Sequence, residues 1–522
     1  MTISADVSVP IQHTDRFFIG GEWVTPSSDS TITVIDSHTE QDYLTVAEAQ
    51  AADMDRAVRA AKEAFDNGPW PRLWHAERAA YLRALGDEVV KRSGAIQQMW
   101  PREAGVLASM AGGAAFGAKH TFDYYADLAD TFEWERAVKP ARGGFGLVVK
   151  EPVGVVGAII PWNAPMGLIS MKLAPALIAG CTVILKTSPE APGEGYVISE
   201  AAEAVGLPPG VLNVICADRE VSELLVRDPR VDKITFTGST AAGRRIASIC
   251  GERIARVTLE LGGKSAAVIL DDADIAATAQ ALAQAECILS GQVCASLTRI
   301  VVSRPRHDEM LEALAAAFSA VKVGDPFDPA SQMGPLAAER QRDRVEGYIA
   351  KGIELGATLA TGGGRPKDLD HGWYVEPTVF GNVDNSSVIA QEEIFGPVLS
   401  VIPATDEADA VRIANDTIYG LHGAVFTNDI ERAREVAGQM RTGAIGHNGF
   451  KSDFDMGHGG FKQSGIGREG GIDGLLPFLE SKAMLLDGPT SRYNDVLLSP
   501  GGTTPRTPRG ISDGRARISD MQ

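Results

Sequence analysis

The chain has 522 residues and, with 49 basic against 68 acidic side chains, a formal net charge of −19. That length exceeds a single compact core and predicts two or three structural units, in a composition (44% hydrophobic, 22% charged) typical of soluble globular proteins. The acidic balance argues against nucleic acid or an anionic membrane as a bulk partner. In chain order, Met54–Gly94 reads as two charged amphipathic helices, "MDRAVRAAKEAFDN" and "HAERAAYLRALGDEVVKRSG". Apolar, β-rich runs then alternate with Ala-rich helical stretches. The expected strands are Val153–Ile160, Thr182–Lys186, Leu212–Cys216, Lys233–Thr237, Ala266–Leu270 and Arg299–Ser303. Helices are expected at Met171–Ala179, Tyr196–Val205 and Ala276–Ile288. Near-continuous apolar strands separated by helices predict an α/β fold with a parallel sheet covered on both faces. From about Pro489 the chain turns rich in Pro, Gly, Ser and Arg, and a mobile tail is expected.

The five cysteines, at 181, 216, 250, 287 and 294, form no CxxC pair and no disulfide framework. None of the nine histidines has a metal-ligand spacing. "DDADIAATAQ" (Asp271–Gln280) reads as a helix cap, so no metal is assigned. No apolar run reaches the length of a membrane span, and the N-terminal residues lack a basic start before an apolar core. A reduced, cytoplasmic protein is expected.

Two stretches suit a nucleotide. "FTGSTAAGRRIA" follows the strand "KITFT", and Gly238, Ser239, Thr240 and Gly243 make a turn whose helix start offers backbone N–H groups to phosphate. Its G-S-T-x-x-G pattern also fits a turn that merely caps its helix. In "ILKTSPEAP", Lys186 ends a strand, where open α/β sheets bind ligands. Three more stretches form one chemical set. "IIPWNAP" carries Asn163, "TLELGGKSAAV" carries Glu260, and "SGQVCASLTR" carries Cys294. A thiolate can attack a carbonyl, an amide can hold the oxyanion, and a carboxylate can activate water. Taken singly, each also reads as a small buried hydrophobe, a turn residue or a loop amide.

The ordered segments "FFIGGEWV", "GPW", "EPVGVVGAIIPWNAP", "TVILK", "PPGVLNVI", "KITFTGSTAAGRRI", "LELGGKSA", "GQVC", "EEIFGPVLSV", "ANDTIYGL" and "GGFKQSGIGREGG" resemble the NAD(P)-dependent aldehyde dehydrogenase superfamily over nearly the whole chain. The resemblance implies Cys294 as nucleophile, Glu260 as general base, and Asn163 with the Cys294 backbone N–H as oxyanion hole. It implies Lys186 at the adenosine ribose, Ser239 beside Gly238 at the pyrophosphate, and Glu393 at the nicotinamide ribose with Phe395 beside the ring. Ile160, Pro161, Trp162 (on the adenosine side) and Leu261 complete the implied cofactor contacts. NAD is the expected cofactor, with NADP left open because Pro189 stands where a glutamate is frequent and Glu190 comes one later. The implied reaction runs through a thiohemiacetal and a thioester to the acid. Met171, Val293 and His458 would line the substrate tunnel, and Met171 and His458, where aromatics are frequent, imply a roomier one. Ile472 replaces a glutamate read as a proton relay, so protons would leave Glu260 by another route.

The expected fold is aldehyde dehydrogenase-like. A Rossmann-like cofactor domain would span 1–132 and 152–261, a catalytic domain 262–473, an oligomerisation arm 133–151 and 474–490, and a flexible tail 491–522. The arm would pair with a neighbouring subunit by strand addition, giving dimers or tetramers. Apolar aliphatic, aromatic or terpenoid-like aldehydes are the expected substrates. A betaine- or semialdehyde-type substrate and a non-redox thiol esterase are the alternatives.

Overall fold

The structure, a computed structural model, describes residues 9–490 and Tyr493. The residues expected to form the tail, 491–522, otherwise lie outside the described ones. The chain forms two compact units, one holding the residues up to Asp130 and Pro152–Phe478, the other Thr131–Glu151 and the residues from Leu479.

The first unit contains two large sheets. In the eight-stranded sheet the order is Gly465–Ile466, Arg256–Glu260, Lys233–Thr237, Val155–Ile159, Thr182–Thr187, Leu212–Cys216, Phe17–Ile19 and Glu22–Val24. The five strands from Arg256–Glu260 to Leu212–Cys216 run parallel. The chain enters at Val155–Ile159, winds outward to Leu212–Cys216, then returns to the other side at Lys233–Thr237. This reversal makes a topological switch point between Val155–Ile159 and Lys233–Thr237, where a crevice opens beyond the carboxyl ends. The strands are buried along their length because helices cover both faces, which is why they lack polar alternation.

The seven-stranded sheet runs Thr358–Thr361, Thr378–Gly381, Val398–Ala404, Arg299–Ser303, Ala266–Ile269, His422–Phe426 and Ala444–His447. Only the outermost Thr358–Thr361 strand is antiparallel to its neighbour. The winding of this sheet also changes sides, between the parallel neighbours Ala266–Ile269 and His422–Phe426. Separate apolar clusters fill the space above and below this sheet. The expected boundary at 261/262 falls between Arg256–Glu260 in one sheet and Ala266–Ile269 in the other. One strand crosses it: Gly465–Ile466, from the expected catalytic domain, pairs antiparallel with Leu259 and Glu260. That ties residues 465–469 to the end of the Glu260 strand.

The expected helices are present, at Ala51–Asp66, His75–Lys91, Pro165–Ala179, Gly193–Ala204 and Ile275–Cys287, though the third starts at Pro165, well before the expected Met171. Asp274 caps the last of these through Ala277 N–H at 3.0 Å, so that acidic run does cap a helix. The second unit is a three-stranded sheet ordered Leu479–Leu486, Phe145–Pro152, Glu135–Val138. The expected arm start at 474 falls inside the helix Gly471–Leu475, and the strand begins at Leu479. Among the described residues no helix is long and apolar enough to cross a membrane.

Candidate active site

The crevice beyond the first sheet gathers the nucleotide-type residues. Ser239 caps the helix Thr240–Arg253, its hydroxyl accepting from Ala242 N–H at 3.3 Å. The positive end of that helix therefore faces the crevice. Gly238 N–H donates to the Glu260 carbonyl at 3.0 Å, which locks the turn to the neighbouring strand end. Ile160 N–H donates to the Lys186 carbonyl at 3.2 Å, bringing the "IIPWNAP" segment against the end of the Lys186 strand. Lys186 is buried, and burial lowers its pKa. Glu190 lies beside it, ion-paired with Arg340 and accepting from the Ser188 hydroxyl.

Leu261 packs its side chain into the core of the first sheet, and its N–H is taken by the Ser464 carbonyl at 2.9 Å. Only its carbonyl is left to offer a ligand. Trp162 meets Phe395 edge to face, ring centroids 5.5 Å apart. The structure thus brings Trp162, expected on the adenosine side, directly against Phe395, expected at the nicotinamide. Glu393 is buried and accepts from Gly263 N–H at 3.2 Å.

Cys294 follows a tightly held turn. Leu289 and Ser290 both take left-handed backbone conformations (φ 49° and 56°), and Gly291 continues them at φ 73°. Two non-glycine residues in that region store about 1–3 kcal/mol each, which the surroundings must offset. The Ser290 hydroxyl donates to the Gly334 carbonyl at 2.9 Å. The buried Gln292 side chain donates to the carbonyls of Ala104 (3.3 Å) and Leu289 (3.0 Å) and accepts from Ala337 N–H at 3.0 Å. Gln292 also holds the oxyanion candidate, because Asn163 Nδ2 donates to its carbonyl at 3.0 Å. A carboxamide has two N–H donors, so one orients Asn163 and the other stays available for substrate. The Asn163 carbonyl is fixed in turn by Trp100 Nε1–H at 3.2 Å. Val293 lies next to the nucleophile and is half-buried.

The Cys294 thiol is pushed up to about 12, first by burial and then by the Glu393 and Glu260 carboxyls. Glu393 is itself raised to about 7 by burial. Glu260, 4% exposed, is held well above the usual carboxylate range by burial and by Glu469. Neither of its carboxyl oxygens has a hydrogen-bond partner among the described residues. A thiol and two carboxyls thus face one small space whose field opposes further negative charge. A ligand bringing positive charge, such as an oxidised nicotinamide ring, fits that field.

Beside Glu260 lies a buried ion pair that motif reading missed. Lys172 Nζ contacts Glu469 Oε1 and donates to Thr237 Oγ1 at 2.8 Å, while Thr235 Oγ1 donates to Glu469 at 3.1 Å. Both Lys172 and Glu469 shift the Glu260 carboxyl electrostatically. The expectation built on Ile472 is corrected here. Ile472 is 48% exposed on the surface, and the carboxylate next to the base is Glu469, three residues earlier. One signal for Lys172 existed: it is the sole charge in the otherwise apolar helix Pro165–Ala179. Met171, its neighbour, is buried on the same helix. His458 sits at Glu260, Nε2 to Oε2 at 4.0 Å, with Phe454 against its ring at 5.3 Å.

The chemistry open to such a site is narrow. A thiol with an amide donor suits addition to a carbonyl, and a carboxyl beside them suits a hydrolytic second half, which is the work of a thiol-dependent oxidoreductase. The family model described as "Aldehyde dehydrogenase family" matches residues 23–484, and the chain belongs to that family. It is 44% identical to geranial dehydrogenase of Castellaniella defragrans, over 91% of this chain and 99% of that one. A crystal structure of Mycobacterium tuberculosis aldehyde dehydrogenase complexed with NAD+ superposes with a TM-score of 0.88 at 45% identity, covering 90% of this chain and 98% of that one. A mutant of aldehyde dehydrogenase C from Pseudomonas syringae, complexed with NAD+ and octanal, gives 0.89 at 37% identity, covering 94% and 99%.

Proposed function

We propose that the chain oxidises apolar aliphatic, aromatic or terpenoid-like aldehydes to carboxylic acids, with NAD as the preferred acceptor. The observation that carries this is the convergence of Glu260 and Asn163, at the carboxyl ends of the first sheet's strands, with Cys294 and Glu393, in the loops that lead into Arg299–Ser303 and Val398–Ala404 of the second. The cofactor would lie in the crevice with its phosphates at Ser239 and Gly238, its riboses at Lys186 and Glu393, and its outer contacts at Ile160, Pro161, Trp162, Leu261 and Phe395. The Glu190 carboxylate beside Lys186 supports NAD over NADP, because a 2′-phosphate would meet it. When bound, the nicotinamide takes the hydride. The rest is the work of this chain. Cys294 Sγ adds to the aldehyde carbon while the free Asn163 N–H and the Cys294 N–H hold the oxygen. After hydride loss the carbon is a thioester. Glu260 then draws a proton from water, whose oxygen bonds to that carbon as the C–S bond breaks.

Support for an apolar substrate comes from both the tunnel candidates and the relatives. Met171 and Val293 carry no charge, Phe454 packs on His458, and Asp455 on the same turn is paired with His120 at 2.9 Å. The relative acting on geranial and the structure holding octanal are both proteins of apolar aldehydes by name. We place the enzyme in the cytoplasm and assign its self-association to the Leu479–Leu486 sheet. The test is nicotinamide reduction across an aldehyde panel, with NAD and with NADP, beside Cys294→Ala. Reduction with octanal or geranial that vanishes in the variant supports the reading. Equal silence of both proteins with every aldehyde sinks it.

A further inference from the structure

The Glu260 carboxyl presents a problem that the reaction does not solve by itself. It is buried, it has no hydrogen-bond partner among the described residues, and its burial favours the protonated form, yet it must act as a base. Lys172 stands near but is already engaged by Glu469 and Thr237. Arg468 also acts on the carboxyl but has no proton-accepting atom, so among the described residues the acceptor nearest to hand is His458. Its Nε2 lies 4.0 Å from Glu260 Oε2, a gap closed by a small rotation or one water. The backbone fixes this approach. His458 and Glu469 exchange backbone hydrogen bonds as an isolated bridge, with Glu469 N–H to the His458 carbonyl at 2.8 Å. The next residue, Gly459, has φ 151°, and a Cβ there would come within 2.6 Å of Glu260 Oε1. Only glycine lets the loop bring an imidazole this close to the base.

We propose that His458 is the proton partner of Glu260, taking the carboxyl's proton on Nε2 so that the carboxylate is free to activate the hydrolytic water. This deepens the dehydrogenase reading and rests on it. The resting pair holds one proton, on Glu260. Its transfer to His458 makes a carboxylate and an imidazolium side by side, with no change in the net charge buried. Water then gives a proton to Glu260, its oxygen bonds to the thioester carbon, and the C–S bond breaks with the electron pair going to Cys294 Sγ. His458 acts through Glu260 and does not touch the acyl group.

The groups facing His458 are consistent with this. Besides Glu260 from its own strand, they are Glu469 and Arg468 on the bridging segment, Lys172 on the Pro165–Ala179 helix and His422 from the second sheet. Burial, with His422, Arg468 and Lys172, pushes the lone imidazole down to about 4, while Glu469 pulls it up. Burial likewise raises the lone Glu260. Each opposes its own charging, and an ion pair between them relieves both at once.

The experiment compares wild type, His458→Phe and His458→Gln with octanal and NAD, following the NADH burst and the steady rate from mildly acidic to alkaline pH. Without His458, Glu260 must release its proton to bulk water from a buried site. The acid limb of the steady rate should therefore move up by about one pH unit or more in both variants. Turnover near neutrality should fall at least about tenfold, and by more than the burst rate does. Glu260→Gln/His458→Phe should be no slower than Glu260→Gln alone. An unmoved acid limb in His458→Gln, or losses that multiply in the double variant, overturns the proposal. A purely packing role predicts that outcome, with changes confined to KM. A wild type with no burst for any aldehyde would instead overturn the dehydrogenase reading on which it rests.

Discussion

Cys294 is the residue where electrostatics gives the sharpest expectation. With its thiol pushed up to about 12 by burial and two carboxyls, it is protonated at neutral pH. A cation placed against it must lower that value. Alkylation by iodoacetamide, followed against pH, should therefore shift to lower pH when NAD is added, and an unshifted curve would refute a cationic ring beside the thiol. Glu469→Gln tests the buried pair. It leaves the Lys172 ammonium, 0% exposed, without its counter-charge, and breaking such a pair costs about 3–5 kcal/mol. The denaturation midpoint should fall accordingly, whereas a Lys172→Met/Glu469→Leu double replacement should recover much of the loss. Cys294, Glu260 and Asn163 were legible because each sits in a short motif with its own chemistry. The Lys172–Glu469 pair was not, because its members lie 297 positions apart and only the sheet order brings them together. Glu469 was overlooked in favour of Ile472 for the same reason: spacing in the sequence does not say which side of a loop faces the base.

Among the elements, the parallel strands and their helices could be read from apolar runs and their spacing, since both depend on local pattern. The turn before the nucleophile could not. Leu289 and Ser290 carry no signal for positive φ, and their conformation is imposed by contacts from Gly334 and from the Gln292 side chain. The two-residue strand Gly465–Ile466 is likewise too short to show a period. Gln292 is the element's anchor. Gln292→Ala would strand buried backbone groups at Ala104 and Ala337, at about 1–3 kcal/mol each before relaxation, while the Leu289 carbonyl keeps the residue's own backbone N–H. A stability loss of about 2–4 kcal/mol is expected from chemical denaturation. Turnover at temperatures where the variant stays folded should drop further than for a remote variant of equal stability, because the Gln292 carbonyl orients Asn163. Activity unchanged in the folded variant would show that the turn does not set the site.

On the scale of the whole molecule, the two-sheet unit has ample buried apolar surface, while the second unit does not. Among the described residues its sheet buries Ala137, Phe145 and Leu147 as a cluster, with Val149, Met484, Leu486 and Tyr493 partly buried around them. A small cluster of this kind leaves the sheet room for further apolar cover. Its outer strand Leu479–Leu486 presents Leu485 at 78% exposure, an apolar side chain left on a sheet edge of the kind that takes up another strand. Self-association through this strand would provide the cover. The full chain is therefore expected to sediment as a dimer or tetramer at micromolar concentration, and Leu485→Asp to shift it towards smaller species without abolishing the NADH burst. A full chain that sediments as a monomer at every concentration would refute the assignment. A variant that loses the burst together with its assembly would show instead that the site needs the neighbouring subunit.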